Sequence, residues 1–162
     1  MITIRKAKIK DVDAIVSMWH GLRLHHQRLV RRDKMRQAWN QPAKDAAPRF
    51  TKWVKKWIRS PQGCVLLGEV NGKPAGYSLN YIKDGIPVYA IKKLGYISDL
   101  YVKPEYRGKG VSSRLKDATF QWFKKKDIKY VEIGFHTENQ KAHRIYKKWG
   151  FADYITQMRR RL

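Results

Sequence analysis

Apolar positions along the chain change period several times, and each change predicts an element. Ile2-Thr3-Ile4 alternates and predicts a first strand. From Val12 the spacing turns helical: Ile15, Met18, Trp19, Leu22, His26 and Leu29 mark one face. Asp11 is placed to cap that helix. Residues 28–42, dense in Arg, Lys and Gln, predict a partly helical crossover. Pro48 predicts the start of a second helix running through Ile58, with Phe50, Trp53, Val54 and Trp57 on one side. Ser60-Pro61-Gln62-Gly63 ends it. Residues 64–70 then predict a strand, Asn71-Gly72 a two-residue hairpin turn, and residues 74–82 the partner strand. After a turn at 83–87, residues 88–102 read as one long strand with an interruption at Gly95.

The second half alternates element types. Residues 103–110 break the strand, and Val111, Leu115, Ala118 and Trp122 predict a helix. Lys124-Lys125-Lys126 falls in its last turn, where cations suit the helix dipole. Val131, Ile133 and Phe135 alternate as a strand. Thr137 and Gln140 have capping-box spacing and predict a helix to about Trp149, with Gly150 as its C′ residue. Residues 152–158 predict a last strand before Arg159-Arg160-Arg161. No linker, repeat or low-complexity tract interrupts this order, which predicts one α/β domain over residues 1–162.

Charge changes the picture. The 162 residues carry 36 Lys+Arg against 13 Asp+Glu, a formal net charge of +23. Residues 1–60 hold 16 basic and 4 acidic side chains, so the excess is not confined to a tail. Such a surface attracts polyanions and repels free cations. Cys64 is the sole cysteine, which excludes an intrachain disulfide or a cysteine-rich zinc site. His20, His25, His26, His136 and His143 form no H-x-x-x-H pair, so no metal is expected. No apolar run approaches the ~18 residues of a membrane span, and no secretory leader is visible, which predicts a cytoplasmic setting.

The most informative segment is Leu100-Tyr-Val-Lys-Pro-Glu-Tyr-Arg-Gly-Lys-Gly-Val-Ser-Ser113: strand, glycine-rich turn, helix N-terminus. Glycines let the backbone approach a ligand closely. The first helical N–H groups lack internal partners and sit at the positive dipole end, which suits phosphate. Arg107 and Lys109 add positive charge. The segment is not a Walker A loop. It is not a dinucleotide G-x-G-x-x-G either, because Ser113 stands at the third glycine position.

These residues resemble the GNAT family of acetyl-CoA-dependent N-acetyltransferases. The family's [QR]-x-x-G-x-[GA] loop is matched by Arg107-Gly108-Lys109-Gly110-Val111-Ser112, where Ser112 replaces the usual Gly or Ala. A second block, Asn139-x-x-Ala142-x-x-x-Tyr146-x-x-x-Gly150-Phe151, also resembles the family. Together the blocks cover about residues 97–152. The resemblance implies a mixed, mostly antiparallel sheet of about six to seven strands flanked by about four helices, with a splayed cleft between the fourth and fifth strands.

The resemblance also implies chemistry. Acetyl-CoA is the expected cosubstrate, attacked directly by an amine, so no enzyme nucleophile is required. Its pantetheine arm is expected along Leu100, Tyr101 and Val102, and its pyrophosphate over the amides of Arg107, Gly108, Lys109, Gly110, Val111 and Ser112. An N–H near Leu100 is the expected oxyanion donor. Asn139 is expected to bond the pantetheine. Tyr146, seven residues on and on the same helix face, is the expected general acid. Asp99 is the candidate base, with Glu132 and His136 as weaker ones. Some family members that acetylate protein N-termini carry a Glu on the fifth strand, where this chain has Gly134.

The acceptor is expected to be an amine on a small molecule or a protein. The positive surface favours an acidic acceptor and disfavours free polyamines. A rival reading is a nucleic-acid- or ribosome-associated binding module on the same fold without turnover, which the charge and six Trp support. Nonspecific polyanion contact is compatible with either. No membrane partner is expected, and the protein is expected to be a monomer or homodimer.

Overall fold

The computed structural model describes residues 1–162, and its centre is one five-stranded sheet of order β1-β2-β3-β4-β5. The strands are β1 (Ile2–Lys6), β2 (Gly63–Val70), β3 (Lys73–Asp84), β4 (Lys93–Val102) and β5 (Val131–Ile133). The helices are α1 (Val12–Leu29), α2 (Lys34–Trp39), α3 (Ala46–Arg59), α4 (Val111–Lys125) and α5 (Gln140–Lys148). β1 to β4 pair antiparallel in sequence, and β5 pairs parallel to β4. The chain divides into two compact units, Met1–Leu22 with Ala43–Gly134, and Arg23–Pro42 with Phe135–Leu162.

In the first unit, α1 and α3 cover one face of the sheet. Val12, Ile15, Met18, Phe50, Val54 and Trp57 meet Val65, Leu67, Tyr77, Leu79 and Tyr101 there. α4 packs against β1–β4 and brings Val111, Leu115, Trp122 and Phe123 to the other face. β3 is therefore buried on both sides from Ala75 to Asn80. Its polar residues are satisfied locally: Ser78 Oγ donates to Asn80 Oδ1, and Asn80 Nδ2 donates to the Cys64 carbonyl at 3.0 Å.

Asn71 and Gly72 both adopt positive φ, as a type I′ hairpin turn requires, and join β2 to β3 as expected. Gly150 at φ +90° ends α5. Its N–H donates to the Lys147 carbonyl and that of Phe151 to the Tyr146 carbonyl, which is the Schellman arrangement.

Six expectations need correction. The sheet has five strands, not six or seven, and the helices number five. Residues 152–158 form no strand, because Asp153 is drawn to His143 at 2.7 Å and Lys147 at 2.8 Å on α5. β4 begins at Lys93, not 88, since the Gly85 N–H donates to the Lys92 carbonyl and closes a loop first. Gly95 does not interrupt it: a Cβ there would lie 2.6 Å from the Phe123 ring, so the glycine makes room for α4. The cap of α5 is Asn139, whose Oδ1 accepts from the Ala142 N–H at 3.1 Å, while Gln140 reaches only the Thr137 carbonyl. Asp11 also serves differently from a simple cap of α1. Its carboxylate accepts from the Lys8 N–H and pairs with Arg5, which lowers its pKa to about 2.

Candidate active site

β4 and β5 are laddered only over Gly95–Ile97 and Val131–Ile133. Beyond Ile97, β4 continues for five residues with β3 on one side and no strand on the other. That is the open fourth-to-fifth strand edge that the fold class calls for.

A bulge sets what this edge presents. Leu79 pairs with Asp99 and Asn80 with Ile97, so Ser98 is an extra residue on β4. The Lys103 N–H donates to the Ala75 carbonyl on β3. By strand alternation Tyr101 also faces β3, whereas Leu100 and Val102 direct their peptide groups to the open edge. Arg107 Nε occupies the Val102 carbonyl at 3.0 Å, and its guanidinium lies 5.8 Å from the Tyr101 ring. Leu100 is left with main-chain groups facing the opening.

The bulge also shifts side-chain alternation. Tyr96 before it and Asp99 and Tyr101 after it share the face covered by α1 and α3. Tyr81 stacks on Trp57 at 4.3 Å and tilts against Tyr96 at 5.3 Å. Asp99 sits beside this aromatic wall and accepts a hydrogen bond from the Tyr77 hydroxyl at 3.1 Å. Burial raises its pKa to about 6, and the Tyr77 bond opposes the rise. A carboxyl so poised can accept protons near neutral pH.

The glycine loop follows directly. Gly108 and Gly110 hold φ of +76° and +85°, and apart from the adjoining chain nothing lies within 4 Å of where either Cβ would be. Gly110 is the N-cap of α4, and its carbonyl accepts from the Arg114 N–H. The amides of Val111, Ser112 and Ser113 are thus the first-turn donors without helical acceptors. Lys109 Nζ lies 5.6 Å from the Tyr106 ring. This open cradle, with a helix dipole behind it, fits a pyrophosphate.

The remaining expected residues lie on other elements. Glu132 on β5 is ion-paired with Lys83 at 2.6 Å, and Lys83 Nζ also lies over the Tyr96 ring. Gly134 is near the Tyr96 hydroxyl, 3.5 Å from a would-be Cβ. In the second unit, the His136 ring lies 4.6 Å from that of His26, and burial lowers the pKa of both. Asn139 and Tyr146 occupy the cap and the second turn of α5. Tyr146 is partly buried among Phe135, Trp149 and Phe151, and burial pushes its hydroxyl to about 12. No group of three or more His, Cys, Asp or Glu is arranged to hold a metal ion, and no helix is long and apolar enough to cross a membrane.

Two features escaped the sequence reading. Tyr77 and Asp99 are 22 residues apart and meet only through the β3–β4 register. The Ser98 bulge has no local signature, since serine fits a regular strand equally well.

The family described as "Acetyltransferase (GNAT) family" matches residues 28–151. An uncharacterized N-acetyltransferase of Methanocaldococcus jannaschii is 28% identical over 109 residues, 65% of this chain. The chain spans about half, 46%, of that relative's length. The uncharacterized N-acetyltransferase YhfO of Bacillus subtilis is 24% identical over 94% of this chain and 91% of its own. Among solved structures, a predicted acetyltransferase of Clostridium acetobutylicum with acetyl-CoA superposes with a TM-score of 0.79. It is 21% identical and the match covers 99% of this chain and 96% of that one, which is a likeness of fold. The open β4 edge, the glycine loop and a family match over most of the chain lead to one conclusion: this chain belongs to the GNAT family of acetyltransferases.

Proposed function

We propose that this protein is an acetyl-CoA-dependent N-acetyltransferase acting on an amine carried by an acidic small molecule or a protein. The observation that carries the reading is the continuity of an open strand edge at Leu100 with an empty-sided glycine cradle at Gly108 and Gly110. One element offers peptide groups to an extended arm, and the next offers amides and a dipole to its phosphates. Acetyl-CoA, when bound, supplies an acetyl thioester whose C–S bond is exchanged for a C–N bond to the acceptor.

The protein's part is binding and proton transfer. The amides of Gly108, Lys109, Gly110, Val111 and Ser112 hold the pyrophosphate, the Arg107 N–H being taken by the Pro104 carbonyl. The Leu100 peptide groups and the Val102 N–H face the extended arm, Tyr101 being turned to β3, with Asn139 as a further polar contact. The Leu100 N–H is the donor to the carbonyl oxygen as negative charge builds there. The Asp99 carboxylate takes a proton from the acceptor's ammonium, whose unperturbed pKa is ≈ 10.4. The Tyr146 hydroxyl, kept protonated by burial, gives its proton to the departing sulfur, and the second proton that the acceptor nitrogen sheds on becoming an amide restores it.

Calorimetric titration of acetyl-CoA into nucleic-acid-free protein tests this directly, with a dephospho-analogue as control. Saturable binding that weakens when phosphates are removed supports the cradle, and release of free thiol on adding an amine then identifies acceptors. No binding at low salt sinks the reading.

A further inference from the structure

The second unit holds a cavity that the catalytic reading does not use. The end of α1, the turn at residues 30–32 and the start of α2 form, with Glu138, a solvent-open cavity of about 330 Å3. Four arginines line it, Arg28, Arg31, Arg32 and Arg36, against two acidic residues, Asp33 and Glu138.

The carboxylates are already spent on one arginine. Arg36 Nη1 pairs with Glu138 Oε1, and Arg36 Nε with Asp33 Oδ2 at 3.3 Å. Asp33 also caps α2, its Oδ1 accepting from the Arg36 N–H at 3.0 Å. The three remaining guanidinium groups join no ion pair in the structure. Val30, 2% exposed, anchors the turn that carries them, and the Val30 N–H continues the helical bonding to the His26 carbonyl. The lining is thus concave, fixed at its base and positively charged by two. Guanidinium groups crowded round one cavity repel each other, and an anion that accepts from several of them relieves that repulsion. Their planar forks match carboxylate and phosphate oxygens.

We propose that this cavity binds a small polyanion through carboxylate or phosphate groups bridging Arg28, Arg31 and Arg32. The proposal goes beyond the transferase reading and stands independently of it.

The test uses the full chain, with citrate and inorganic phosphate as probes, followed by calorimetry and by the arginine Nε–H resonances of nitrogen-15-labelled protein. Saturation at one site with shifts at Arg28, Arg31 and Arg32 is expected. The double variant Arg31→Gln/Arg32→Gln should weaken binding about tenfold or more, as loss of charged hydrogen bonds implies. Lys124→Gln/Lys125→Gln removes the same charge from the end of α4 and should change binding by less than about twofold. Both arginines are exposed, so the variant retains the fold, which its melting temperature checks. Tighter citrate assigns a carboxylate ligand and tighter phosphate a phosphorylated one. Equal weakening by the two double variants reduces the effect to diffuse surface charge and overturns the proposal. Absence of saturable binding by either probe also overturns it.

Discussion

The Tyr77 hydroxyl donates to Asp99 Oδ2 at 3.1 Å from the adjacent strand, and it does so from a side chain with no exposed surface. A bond to the charged form of a carboxyl holds its pKa down, while burial of Asp99 pushes it up to about 6. Carbon-13 NMR of the aspartate carboxyls should therefore show Asp99 titrating near pH 6, far above the ordinary ≈ 3.9. In Tyr77→Phe the restraint is gone and the midpoint should move to higher pH. The acid limb of kcat/KM should follow it, because the base must be ionised. A midpoint near the ordinary value would remove Asp99 from the base role.

Tyr146 stays protonated across the working range, since burial lifts its hydroxyl to about 12. Tyr146→Phe keeps the ring contacts with Phe135, Trp149 and Phe151 and deletes only the proton. Turnover should fall by about 10²- to 10⁴-fold, the usual worth of a general acid, while the Kd for acetyl-CoA stays within about twofold. Undiminished turnover would reassign the tyrosine to packing.

Gly110→Val should abolish measurable acetyl-CoA binding. The new side chain would stand in the open cradle, and a β-branched residue resists φ of +85°. Calorimetry decides this, with circular dichroism to confirm that α4 persists. Affinity equal to the parent's would mean the phosphates bind elsewhere.

His26 links acidity to stability. Its folded pKa is lowered to about 4 by burial and by His136 and His25, against an unfolded value of ≈ 6.5. Between these values the unfolded chain binds a proton that the folded chain refuses. Stability is therefore full above about pH 6.5 and declines as pH falls toward about 4. Urea midpoints at pH 7 and pH 4.5 should differ less in His26→Phe than in the parent. An identical acid loss in both would clear His26 of the effect.

Much of this was readable from residue order. The Asn71-Gly72 hairpin, the α4 face at Val111, Leu115 and Trp122, and the Gly150 stop each depend on neighbours a few positions away, so local chemistry decides them. The glycine loop was legible for the same reason. What failed depended on partners distant in the chain. Residues 152–158 looked like a strand, but pairing needs an available edge, and Asp153 is held by α5 instead. Residues 88–92 likewise carry strand-like side chains but are spent on closing a loop at Gly85. The Tyr77–Asp99 bond follows from a register that one bulged serine sets, and no pattern of hydrophobicity encodes that.

The Ser98 bulge makes the open edge tolerant of side-chain change. Because it turns the peptide groups of Leu100, not their side chains, to the open edge, what that edge offers a ligand is chemically the same for nearly any amino acid at that position. Replacing Leu100 by another residue that keeps its N–H leaves those groups in place, whereas proline there would remove the donor.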